Sequence, residues 1–76
     1  MGTNHRTLSG LLKAAKEHVA LGEKHILPQR ATVTELEQQG LDTREARNLL
    51  ALFEGLQELH VANANRLRVA LEDQSD

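Results

Sequence analysis

Apolar residues recur along this chain at alternating intervals of three and four. The first run is Leu8, Leu12, Ala15, Val19, Gly22, Ile26, Gln29, Val33 and Leu36. The second is Ala46, Leu49, Phe53, Leu56, His60, Asn63, Leu67 and Ala70. Such spacing, about 3.5 residues on average, marks the seam of packed α-helices. It predicts one helix over about residues 7–39 and a second over about 43–72, with a polar tail at 73–76. Thr3, Asn4, Thr7 and Ser9 all suit the start of the first helix, because a short side-chain oxygen accepts from a free first-turn N–H.

The pattern breaks once, at residues 40–42. Gly40 can take the left-handed conformation that closes a helix. Asp42, with Glu45 three residues on, has the spacing of a capping box. A stop followed so closely by a start forces the helices to run antiparallel. The expected fold is therefore all-α, an antiparallel two-helix hairpin. Residues equidistant from Leu41 should face one another, which puts Gly22 opposite His60. It also puts the acidic tail beside Lys13 and Lys16, and Glu54 and Glu58 near Lys24 and Arg30.

Pro28 interrupts the first run chemically but not in phase. An interior proline removes a backbone hydrogen bond and crowds the preceding turn. The seam nevertheless passes from Ile26 to Gln29 without a slip, so the expectation is a continuous helix kinked near Pro28. Two shorter helices meeting between Gly22 and Pro28 remain the alternative.

The apolar face is wider than a single seam needs. Leu11, Ala14 and Leu21 flank the first stripe, and Leu50, Leu52, Leu59 and Leu71 flank the second. A helix with so broad a face packs against more than one neighbour. Leu11, Leu21, Leu50, Leu52 and Leu59 are the candidate partner face. A homodimer forming a four-helix bundle would cover it, and so would another protein.

Composition supports this and narrows the function. The chain has 76 residues, too few to bury a large core unaided. It has no cysteine, so a disulfide cannot staple it. Fourteen leucines and nine alanines favour helix, and Phe53 is the sole aromatic residue. A net charge of −2 with interspersed signs points to no nucleic acid. No apolar run suits a membrane span, and no signal-peptide pattern stands at the N-terminus. Met1-Gly2 opens like a myristoylation site, but Arg6 stands where Ser or Thr is needed. A cytoplasmic location is the expectation.

Chemistry, if there is any, should lie at the middle of the seam. Gly22, Gln29 and His60 occupy core-type positions there, as does Asn63. His18, His25 and Gln57 lie beside them. Gly22, His25, Gln29, Gln57 and His60 thus form a candidate polar layer. Its plainest role is to fix register and oligomeric state. A second reading is a metal or small-ligand site, with His25 and His60 doubled by a twofold axis to supply four imidazoles. Di-iron bundles need Glu-x-x-His, and here the segment reads Gln57-Glu58-Leu59-His60. No catalytic motif, Gly-rich phosphate loop or cofactor signature is present. An enzyme is not expected.

One resemblance adds to this. Gly22-Glu23-Lys24-His25-Ile26-Leu27-Pro28-Gln29, the turn from Gly40 to Ala46, and Phe53-Glu54 with His60 together resemble a pattern found in small uncharacterised bacterial helical-hairpin proteins. The likeness spans roughly Leu21 to Leu67. It implies a bacterial helical hairpin and carries no activity, cofactor or partner with it. It falls on Gly22, His25, Gln29 and His60, which the spacing had already singled out.

Overall fold

The computed structural model describes residues 7–74. Thr3 and Asn4, the Met1-Gly2 start with Arg6, and the tail residues Ser75 and Asp76 lie outside the described residues. Within them the chain forms two helices and no strand: α1, Leu8–Gln38, and α2, Arg44–Gln74. Thr7 caps α1 in extended conformation, and its Oγ1 accepts from Gly10 N–H at 2.9 Å. α2 continues to Gln74, past the boundary expected at residue 72.

α1 runs unbroken through Pro28, so the arrangement of two shorter helices does not occur. Proline leaves the Lys24 carbonyl without its usual helical donor. Lys24 and Pro28 are both exposed, so water can satisfy that carbonyl. Thr32 Oγ1 donates to the Pro28 carbonyl at 3.1 Å.

The turn forms as its residues dictate. Gly40 adopts φ 72°, the left-handed region that glycine enters without a Cβ penalty. Its N–H donates to the Glu37 carbonyl, and the N–H of Leu41 donates back to the Leu36 carbonyl. These two bonds are a Schellman closure, and they satisfy carbonyls that a helix end would otherwise leave free. The expected capping box between Asp42 and Glu45 does not form, and an Asx turn takes its place. Asp42 Oδ1 accepts from the Arg44 N–H at 3.0 Å. The Asp42 carboxylate also pairs with the Arg44 guanidinium, where the box would have engaged Glu45. The Arg44 side chain, and then its N–H, hold the Asp42 carboxyl below the ordinary carboxylate range. That contribution to stability is present above the ordinary value and is lost as pH falls through the lowered one.

The seam of α1 lies where its spacing placed it. Leu12, Ala15, Ile26 and Val33 are buried; Val19, Gly22 and Gln29 between them, and Leu8 and Leu36 at the ends, are half-buried. The seam of α2 differs from expectation. Ala46, Phe53, His60 and Leu67 face α1, but Leu49, Leu56 and Asn63 are exposed. Leu50, Gln57 and Ala64 take their places, half-buried. α2 is thus turned about its axis by less than one residue step. The pattern could not separate Leu49 from Leu50, because either position completes a three–four alternation.

The resulting hairpin is thin. It extends 56 × 23 × 14 Å, so it is one helix layer thick. α2 buries no side chain completely, and the buried core is Leu12, Ala15, Ile26 and Val33.

Two glycines test this description in opposite directions. A Cβ added at Gly55 meets open space, so Gly55→Ala should stabilise the chain by about 0.5–1 kcal/mol through helix propensity. Gly40→Ala must put a Cβ on a left-handed residue and should cost about 1–2 kcal/mol. Urea unfolding followed by circular dichroism should move in opposite directions for the two variants.

Candidate functional site

Two glutamines cross the seam. Gln29 Nε2 donates to the Ala46 carbonyl at 3.0 Å, and Gln57 Nε2 donates to the Val19 carbonyl at 2.8 Å. Each bond runs from the side chain of one helix to the backbone of the other. A carbonyl cannot slide along its helix, so each bond resists slippage of register.

Gln57 reaches Val19 across the surface of Gly22. A Cβ built on Gly22 would overlap Gln57 Oε1 and lie 2.7 Å from its Cδ. Glycine inside a helix costs about 0.5–1 kcal/mol relative to alanine. Here that cost admits the amide. Gln57 Oε1 is buried with no hydrogen-bond partner. Turning the amide over would set that oxygen against the Val19 carbonyl, so the observed orientation is the one that makes a bond.

The expected pairing of Gly22 with His60 is therefore corrected: Gln57 sits over Gly22. On the other side Arg30 meets Glu54 and Glu37 meets Arg47, so the register stays centred near residue 41, and it is the rotation of α2 that brings Gln57 onto Gly22. His60 instead meets His18, with ring centroids 5.4 Å apart and planes tilted by 58°. His25 packs on Phe53, with centroids 5.7 Å apart and a tilt of 39°. His25 and His60, the candidate metal pair, thus contact different rings at different levels. Among the described residues no group of three or more His, Cys, Asp or Glu could hold a metal ion.

These rings line one groove of about 380 Å³, together with Leu21, Gly22, Leu56 and Gln57. Of the polar-layer candidates, Gly22, His25, Gln57 and His60 come together there. Gln29 lies nearer the turn, bonded to Ala46. None of the groove's lining residues is an acid, lysine or arginine.

The opposite side of the hairpin is charged. Lys16, Glu23, Arg30 and Glu37 recur every seven residues on α1, and Arg47, Glu54, Val61 and Arg68 recur every seven on α2. Arg30 bonds Glu54 at 3.0 Å, and Arg47 pairs with Glu37. Lys16, Glu23, Val61 and Arg68 line a second groove on that side. Arg30 and Glu54 were expected to be neighbours. Glu72, expected beside Lys13 and Lys16, lies 3.9 Å from Arg68 on its own helix.

Leucines crowd the histidine side. Leu11, Leu21, Leu52 and Leu59, all on the candidate partner face, are exposed, Leu59 at 67%. Leu50 leaves that set because it is half-buried in the seam. Leu49 and Leu56 join it, at 41% and 45% exposure. The sequence held a signal for this division. The charged ladder at Lys16, Glu23, Arg30 and Glu37 fixes the outer edge of α1, and its counterpart on α2 starts at Arg47.

Among the described residues, no helix is long and apolar enough to cross a membrane. Comparison with family models, curated proteins and solved structures returns no match for the chain.

The contact between Gly22 and Gln57 predicts a reversal of sign. Alone, Gly22→Ala should destabilise the chain by about 1–2 kcal/mol, because overpacking and a lost hydrogen bond outweigh the gain in helix propensity. In a Gln57→Ala background the obstruction is gone, and the same substitution should stabilise by about 0.5–1 kcal/mol. A double-mutant cycle in urea measures both values. Additivity of the two changes would mean that the side chain does not lie over the glycine.

Proposed function

We propose that this chain is a protein-interaction or structural module that works as a homodimer in the cytoplasm. Two hairpins would pack on their leucine sides into a four-helix bundle. The observation that carries this reading is the division of the hairpin into a charged side and a leucine side. Among the described residues, six of the ten large apolar side chains left exposed lie on the second: Leu11, Leu21, Leu49, Leu52, Leu56 and Leu59. Burying one such side chain contributes about 1.5–3 kcal/mol.

Three further points favour a second copy as the occupant. A broad face of 56 × 23 Å exceeds the roughly 800 Å² per partner that a standard interface buries. The groove at its centre has no lysine, arginine or acid in its lining, so two copies can meet there without like-charge repulsion. The third is size. A core of four buried side chains is too small for a lone chain of this length, and a second layer of helices would complete it. A bend at Pro28 belongs to the same reading, since it would curve α1 along the bundle.

Sedimentation of the purified chain at micromolar concentration should give twice the 8.4 kDa chain mass. Leu56→Glu and Leu59→Glu should each yield monomers and lose helicity, because neither residue belongs to the hairpin's own core. A fully helical monomer at these concentrations would refute self-association and turn the search toward a different protein on the same face.

A further inference from the structure

We propose that His18 and His60 form a two-imidazole chelate for a divalent first-row transition ion such as zinc. The ion would tie α1 to α2. This goes beyond association, because it uses two residues of one chain and needs no second copy.

The geometry of the pair carries the inference. A zinc–imidazole bond is about 2.0–2.1 Å, so two rings on one tetrahedral ion have centroids roughly 5 Å apart. The His18 and His60 centroids are 5.4 Å apart. Parallel stacked rings cannot both aim a lone pair at one point, and these are tilted by 58°. The two rings come from different helices and line the same open groove, so an ion has a path to both. No lysine or arginine lines that groove to oppose a cation. Imidazole nitrogen is a donor that zinc, copper and nickel share. Water can fill the remaining coordination positions.

His25 is excluded from the chelate. It lies one heptad from His18, roughly 10 Å along α1 at 1.5 Å per residue, and its ring packs on Phe53. The chain also has a physical use for such a tie. It lacks cysteine, and its buried core is four side chains. Small domains of this kind gain stability from a metal that binds only the folded state.

The test is a zinc titration of the full chain, free of any affinity tag, read by calorimetry and by thermal melting after EDTA treatment. The unaltered chain should bind the ion. Its Tm should rise by on the order of 10 °C with zinc at about a hundred times its Kd. His18→Ala should abolish that response, and His18 is exposed, so the substitution leaves the seam intact. His60→Gln, which keeps a polar side chain in the seam, should abolish it too. His25→Ala should retain it. Absence of a response in the unaltered chain would overturn the proposal, as would a response that survives His18→Ala or His60→Gln. Loss of the response in His25→Ala would overturn the assigned pair. Sedimentation in EDTA reports on the dimer separately, so either proposal can fail without the other.

Discussion

The arrangement of this hairpin depends on a glycine that lets an amide through. Gln57 bonds the Val19 carbonyl only because Gly22, half-buried in the facing helix, has no side chain to block it. The bond itself is modest, about 0.5–1.5 kcal/mol net. Its influence comes from where it acts. It sets which edge of α2 faces α1, and that choice settles which leucines are covered and which are left in water.

Two rotations of α2 were open. One would put Leu49 and Leu56 in the seam and Gln57 outside. The other, which occurs, puts Leu50 and Gln57 in the seam and leaves Leu49 and Leu56 exposed. By hydrophobic burial within one chain the two are equal, since the first sets Leu49, Leu56, Asn63 and Ala70 in the seam and the second Leu50, Gln57, Ala64 and Leu71, each two leucines, one alanine and one amide. With the second rotation, Leu49, Leu56, Leu52 and Leu59 share one side, and Glu54 and Arg47 come to the other, where Arg30 and Glu37 meet them. The internal core is no larger, and the outer surface is sorted by polarity.

This explains how much could be read in the sequence. The two helices, the turn at Gly40 and Asp42, and the complete seam of α1 were legible, since each rests on local chemistry or on an unambiguous period. The face of α2 was not, because Leu49-Leu50 and Leu56-Gln57 offer both alternatives within one residue step. The deciding contact lies between Gly22 and Gln57, far apart along the chain. A period analysis ranks positions by apolarity and cannot anticipate that a polar side chain displaces a leucine. For the same reason Gly22 was set opposite His60, where the rotation of α2 brings Gln57 over it instead.

Sorting by polarity also bears on why the seam has two glutamines rather than two more leucines. A hairpin with leucine at positions 29 and 57 would gain burial but lose the directional bonds to Ala46 and Val19. Leucine side chains accept several rotations and registers at little cost, as uniformly packed cores do. With seventeen leucine and valine side chains spread over two helices, about one kcal/mol of directional bonding is comparable to the difference between competing packings. The unpartnered Gln57 Oε1 gives a sense of scale, because a buried unpaired amide oxygen costs about 1–3 kcal/mol. A chain that tolerates this in so small a core gives up stability for a single arrangement. What the single arrangement fixes is which leucines stay outside it, Leu49, Leu52, Leu56 and Leu59 on one side of α2.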